Sequence, residues 1–221
     1  MLPTPIVIDG PAGAGKSTVA RRLAERLGGT YLDTGAMYRA FTLRALRLQV
    51  DLEDPAALVE VVDGGRLRMA PEAGGLRVYL DDEDVTAAIR TPEVTRSIHH
   101  IAGCGPVRER LVEQQRKLAD ELPPPVVAEG RDLGSVVFPS ARIKVYLDAS
   151  VKVRARRRLA DLRADAPALA ELEAEIALRD ERDRTRDVAP LVQVDDAVVV
   201  DSTALDPEQV LERLVALVNA S

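Results

Sequence analysis

Cysteine is nearly missing from this 221-residue chain, since Cys104 stands alone. That excludes a disulfide framework and a thiolate metal cluster. Histidine is almost as scarce: His99 and His100 are the only two. Being adjacent they face different sides of a helix, and with Cys104 they have no metal-ligand spacing, so at least one belongs to packing or surface. No apolar run approaches the roughly 20 residues that span a bilayer. The chain passes from Met1 to an apolar strand within a few residues, which leaves no room for a signal peptide and makes a cytoplasmic location the expectation. Positive charge is not in surplus either: the net charge of −6 argues against a protein that grips nucleic-acid backbone. Lys16, Lys117, Lys144 and Lys152 are the only lysines, and every other cation is arginine. Repeats and low-complexity tracts are absent.

What is present is ordinary for a globular protein, with 46% hydrophobic and 30% charged residues and length enough for one α/β domain carrying an insertion. The most telling stretch is Gly10-Pro11-Ala12-Gly13-Ala14-Gly15-Lys16-Ser17-Thr18, which fits the phosphate-loop spacing without a mismatch. A short apolar run, Pro5-Ile6-Val7-Ile8-Asp9, precedes it as a strand, and Val19 to Leu27 follows as a helix. Glycines let successive N–H groups converge on phosphate oxygens, and the helix N-terminus adds its partial positive charge there. Lys16 is therefore expected to reach the β- and γ-phosphates of a nucleoside triphosphate, and the Ser17 hydroxyl to complete a Mg²⁺ shell.

Strands and helices alternate along most of the rest, as they do in a parallel sheet with helices on both faces. Thr30 to Asp33, Val126 to Glu129, Ile143 to Asp148 and Ala197 to Asp201 read as further strands, with helices over Ala36 to Leu48 and Pro207 to Val218. Leu67-Arg68-Met69 and Leu76 to Leu80 instead alternate around Gly74-Gly75, the signal of an antiparallel hairpin. Such an insertion holds a second substrate or merely decorates the surface. Arg154 to Arg186 is strongly helical and strongly charged.

A phosphate loop names a ligand class and not a reaction. The Asn-Lys-x-Asp element of guanine-reading switches is absent, and the strand at Val126 ends in Glu129-Gly130-Arg131-Asp132 instead of the acidic pair of a motor NTPase. Moving a phosphoryl group onto another phosphate needs no general base, because the attacking oxygen is already anionic. It needs cations in line with the transfer. Arg39, Arg131, the set Arg154, Arg156, Arg157 and Arg158, and the cluster Arg179, Arg182, Arg184 and Arg186 supply them from separate segments. Arg179 with Asp183, and Arg182 with Arg186, share helical faces by spacing. An exposed ion-pair network explains the last cluster equally simply, and a solvated helix face explains Arg154 to Arg158.

Several stretches resemble the bacterial cytidylate kinase family over nearly the whole chain. They are Ile8 to Thr18, Leu32-Asp33-Thr34-Gly35-Ala36-Met37-Tyr38-Arg39, Glu129 to Pro139, Lys144 to Ser150 and Arg179 to Pro190. The resemblance implies an α/β nucleoside monophosphate kinase fold of phosphate-loop type, with a small antiparallel insertion and an arginine-rich helical lid. The expected parts are a core of residues 1–36, 100–153 and 187–221, an acceptor-nucleotide domain of 37–99, and a lid of 154–186. The implied reaction is ATP-dependent phosphorylation of CMP and dCMP, with Mg²⁺ accompanying ATP, in a cytoplasmic monomer without nucleic-acid or membrane partners. Another nucleoside monophosphate or a small acid is the alternative acceptor, and a nucleotide-driven switch is an alternative of another class.

Carried over by position, the resemblance puts Thr34 and Arg39 near the acceptor nucleotide, Arg39 close to its phosphate, with Tyr38 in support. It makes Arg108, Arg131 and Asp132 readers of cytosine, whose amine suits a carboxylate and whose two acceptors suit an arginine. Arg179 and Asp183 fall at ribose and phosphate contacts. Lys16, Arg131, Arg154, Arg157 and Arg186 are the expected catalytic cations. His99 stands where relatives place a small hydroxyl that helps hold the base, so either His99 takes over that bond or discrimination rests on Arg108 and Asp132. Ser135 replaces a more usual threonine.

Overall fold

The computed structural model describes residues 4–72, 75–161 and 168–220. Along the chain come β1 (Ile6–Asp9), α1 (Lys16–Arg26), β2 (Thr30–Asp33), α2 (Thr34–Arg47), α3 (Pro55–Asp63), β3 (Leu67–Glu72), β4 (Gly75–Leu80) and β5 (Glu83–Asp84). They are followed by α4 (Pro92–Gly103), α5 (Gly105–Glu121), β6 (Val126–Glu129), β7 (Lys144–Asp148), α6 (Val151–Asp161), α7 (Leu169–Thr185), β8 (Val198–Asp201) and α8 (Pro207–Asn219). Two compact units divide these elements, one running to Thr30 and resuming at Pro123, the other covering Tyr31–Leu122.

In the first unit β6, β1, β7 and β8 lie side by side in that order, all parallel. Ile6, Val7 and Ile8 of β1 are fully buried, the pattern of a strand covered on both faces. The register pairs Ile8 with Glu129 and Asp9 with Tyr146. The C-terminal ends of β1 and β6, Asp9 and Glu129, therefore arrive at one edge of the sheet, where parallel α/β sheets bind ligands. Thr30, at the head of β2, donates its N–H to Pro125 O at 2.9 Å and its hydroxyl to Pro123 O at 2.7 Å. At the other side β8 leaves Val198 and Val199 exposed. Helix α8 begins on a capping box of Asp206 and Gln209 with Pro207 in its first turn, which satisfies orphan amides reciprocally.

Helices α6 and α7 pack through Ala155, Leu172 and Ile176, with Val151, Leu159 and Leu169 around them. The strongly helical stretch Arg154 to Arg186 is a helix pair, α6 and α7, and its residues 162–167 lie outside the described residues. Residues 1–3, on which the signal-peptide expectation bears, do too.

The second unit holds the expected hairpin. β3 and β4 pair antiparallel from Leu67 opposite Leu80 to Glu72 opposite Gly75, and turn residues 73–74, including Gly74, fall outside the described residues. A third strand, β5, adds to β4 through a tight turn in which Asp81 and Asp82 take φ of 50° and 68°, the left-handed geometry that two-residue hairpins require. The hairpin is tied to α2 by Arg44 to Asp81 at 3.1 Å and Arg47 to Glu83 at 2.7 Å. α3 was not anticipated, although Asp54 accepting from Ala56 N at 2.9 Å and Pro55 in the first turn form a readable start signal.

Candidate active site

The phosphate loop takes the shape its glycines permit. Gly10 has a φ of 147°, and a Cβ there would stand 2.0 Å from Leu147 O, so no other residue fits. Gly15 precedes α1 with a φ of 96° and no side chain caps the helix. The first amides of α1 are left to a ligand, and the helix dipole favours an anion there. Pro11, Ala12, Gly13, Ala14 and Thr18 complete the loop and its exit. Lys16 is buried and donates from Nζ to Pro11 O at 2.8 Å. Burial first, then the positive charges of Arg131 and Arg179, bring its pKa down to about 7 against the opposing pull of Glu129 and Asp9. The Ser17 hydroxyl donates to Glu129 Oε1.

Four arginines of α6 separate by helical phase. Arg154 and Arg157, three apart, face inward, and Arg156 and Arg158 are exposed. Arg154 donates from Nη1 to Ala12 O at 3.0 Å and from Nε to Ala149 O at 2.7 Å. Its Nη2 lies 2.6 Å from Asp180 Oδ2, with both side chains only 2% exposed. Arg157 donates from Nη1 to Ala14 O at 3.2 Å and from Nη2 to Ser202 O at 2.7 Å. Both guanidinium groups thus hold carbonyls of the phosphate loop from behind.

Beyond β6 the chain makes a π-helical turn over Leu133–Val137, capped by Asp132 in a non-helical conformation. Arg131 Nε donates to Asp183 Oδ2 at 2.9 Å. Asp132 Oδ1 lies 3.6 Å from Arg186 Nη2. The neighbouring guanidinium of Arg131 keeps the Asp183 carboxyl below its ordinary value, against burial, with Arg179 and Arg186 adding to the effect. Leu172, Ile176, Asp180 and the half-buried Arg179 and Asp183 form the inward stripe of α7. The helix ends at Thr185, and Arg186 is already extended with φ −63° and ψ 140°. Arg182 and Arg186 therefore do not share a helical face: the four-residue spacing presumed a helix that stops one residue short.

In the second unit Asp33 accepts from Ala36 N at 3.0 Å and so caps α2. Thr34, the first residue of that helix, is buried. Arg39 donates from Nη1 to Thr95 Oγ1 at 2.9 Å. Arg108 of α5 is buried, donates from Nη1 to Ala102 O at 3.3 Å, and lies 5.4 Å from the centre of the Tyr38 ring. His99 shares its Nδ1 with Arg96 O at 2.8 Å, and its ring lies 4.0 Å from that of His100, tilted by 36°, so the two rings meet instead of facing different sides of the helix.

The sequence profile described as cytidylate kinase matches residues 6–220. A cytidylate kinase of Symbiobacterium thermophilum is 49% identical over 213 residues, covering 95% of this chain and 93% of its own. The chain belongs to the cytidylate kinase family. A bifunctional pantoate ligase/cytidylate kinase of Prochlorococcus marinus is 49% identical over 96% of this chain, which spans 44% of that longer protein. Among solved structures, an uncharacterized protein from Eubacterium ventriosum superposes over 99% of both chains with a TM-score of 0.51 at 13% identity.

In this cytidylate kinase family member two acids stand beside the loop that sequence reasoning did not assign. Glu129, which opens one of the stretches that carry the resemblance but has no role assigned there, is the partner of Ser17. Their hydroxyl and carboxylate oxygens are the hard donors that Mg²⁺ prefers. Among the described residues no cluster of three or more histidine, cysteine or acidic side chains is arranged around a metal position. Asp9 is the other acid. Burial raises its pKa to about 6, opposed by its bonds from the Gly134 and Leu133 amides. Among the described residues no helix is long and apolar enough to cross a membrane.

Proposed function

We propose that this enzyme transfers the γ-phosphoryl group of ATP to the phosphate of CMP or dCMP. The bond from phosphorus to the ADP oxygen breaks, and a bond to an acceptor phosphate oxygen forms. The observation that supports this best is the phosphate loop with Lys16 buried beneath it, on whose charge Arg131 and Arg179 act from separate segments. A site rich in fixed cations around the donor loop suits transfer between two polyanions, where charge neutralisation does most of the catalysis.

Lys16, Arg131 and Arg186 are assigned to the transferring phosphoryl group. Gly10 to Thr18 hold the ATP phosphates, and Mg²⁺ with ATP is assigned to Ser17, assisted by Glu129. When bound it would neutralise charge on the β- and γ-phosphates. Arg39 and Thr34 are assigned to the acceptor phosphate and nucleoside, Arg179 and Asp183 to ribose and phosphate, and Arg108, Arg131 and Asp132 to the base. Arg154 and Arg157, expected from the resemblance to act as catalytic cations, are better read as braces of the loop, given their bonds to Ala12 and Ala14. The same proposal carries a cytoplasmic monomer.

The direct test is to supply ATP and Mg²⁺ with each nucleoside monophosphate in turn and follow ADP. ADP should form with CMP and dCMP, slowly with UMP, and hardly at all without an acceptor. Equal ADP release in the absence of acceptor would overturn the proposal. Asp132→Asn should blunt the preference for CMP over UMP by about tenfold or more, because an amide both donates and accepts and so tolerates uracil. The ratio of kcat/KM for the two acceptors checks it, and an unchanged ratio would move base reading to Arg108 or His99.

A further inference from the structure

Asp9 has no role in the resemblance and none in the transfer just described, yet it is a buried acid at the centre of the first unit. It is the last residue of β1, and Gly10 begins the phosphate loop immediately after it. Its two oxygens are both used: Oδ1 accepts from Leu133 N at 3.0 Å and Oδ2 from Gly134 N at 2.7 Å. These are the first amides of the π-helical turn, and Asp132, which caps that turn, gives it no side-chain bond. The turn is thus capped from outside, by a carboxylate more than a hundred residues away in sequence. Gly134 lies close against the acid: a Cβ there would touch Asp9 Oδ2 at 3.4 Å, with Lys144 Cδ at 3.3 Å and Val194 Cγ2 at 3.5 Å. One more bond, from Gly130 N to Ile8 O at 3.1 Å, joins the same two segments.

We propose that Asp9 is a positioning residue, a strut that sets Arg131 and Asp132 at a fixed distance from the phosphate loop. The inference rests on the assignment of Arg131 and Asp132 to the acceptor base. The backbone of the loop and the backbone of the base-reading turn are both covalently next to the strut: Gly10 follows Asp9, and Leu133 follows Asp132. A rigid carboxylate with two short bonds to consecutive amides leaves the turn little freedom to slide or rotate. A protonated or amide side chain at this position keeps one acceptor and turns the other oxygen into a donor, which confronts an N–H.

Asp9→Asn should raise KM for CMP by about tenfold or more, because small displacements of orienting groups are costly, with KM for ATP changing less than about twofold. Amide hydrogen exchange supplies a readout independent of turnover. Exchange at Leu133 and Gly134 should accelerate at least about tenfold, while the Val7 amide, bonded to Ile143 O within the sheet, keeps its protection. Should Asp9→Asn fail to fold, Gly134→Val, whose methyls would press past a Cβ already in contact with Asp9, Lys144 and Val194, displaces the turn without altering the acid and should show the same split between the two KM values. Equal losses for ATP and CMP, or unchanged exchange at Leu133 and Gly134, would overturn the strut. If the wild-type enzyme makes no CDP while the exchange result holds, the acceptor assignment is wrong and the strut stands.

Discussion

Lys16→Met is expected to lower kcat by roughly three orders of magnitude, the scale of losing one charged donor aimed at a transition-state oxygen, while CMP binding changes little. Methionine keeps the length of the stem within a site where Lys16 is 5% exposed, so the loss reports charge more than cavity formation. A steady-state comparison with direct CMP binding checks the split; a turnover within tenfold of wild type would remove Lys16 from the transfer. The same residue gives the enzyme a pH signature. With its pKa lowered to about 7 by burial, Arg131 and Arg179, Lys16 is largely neutral in the empty loop at pH 8. Phosphates favour the ammonium and raise that pKa, so ATP binding at pH 8 should take up protons, approaching about one per nucleotide. ATP affinity should then be full below pH 7 and weaken as pH rises through 7. Calorimetry in buffers of different ionisation enthalpy reads the uptake, and Lys16→Met should abolish it.

Arg154→Met is expected to destabilise the protein by about 3–5 kcal/mol, because it strands a buried carboxylate. The Arg154–Asp180 pair is 2% exposed on each side at 2.6 Å, and neither oxygen of Asp180 has a hydrogen-bond partner among the described residues. The guanidinium of Arg154 is in contact with Asp180, and the charge of Arg131 also acts on it. For a chain of this length the loss corresponds to a fall in Tm of roughly 10 °C. Adding Asp180→Leu should restore part of it, since removing both charges ends the mismatch. Recovery should stay incomplete because Ala149 O and Ala12 O lose their donor. Thermal denaturation of the two single variants and the double variant decides. A double variant no more stable than Arg154→Met would show that the carbonyl contacts, not the ion pair, hold this region.

Features set by local spacing were legible in the residues alone. The phosphate loop is a nine-residue pattern with its strand and helix attached, and β2 and β6 appear at the very bounds read for them. What escaped depended on partners distant in sequence. Glu129 and Asp9 matter because β6 lies beside β1 with Ile8 opposite Glu129, and strand order cannot be read from either segment. The arginines of α6 were visible as a group but not as two pairs. Sorting Arg154 and Arg157 from Arg156 and Arg158 requires knowing which side of the helix meets the loop. β5 was too short, at two residues, to leave an alternating pattern.

The bonds from Arg154 to Ala12 O and from Arg157 to Ala14 O have a mechanical consequence. The opening turns of α6 are fastened to the floor on which the triphosphate would rest, and Asp180 fastens the middle of α7 to the same point. Displacing the first turns of α6 would therefore drag the phosphate loop with them, whereas displacement beyond Arg157 would leave these two bonds in place.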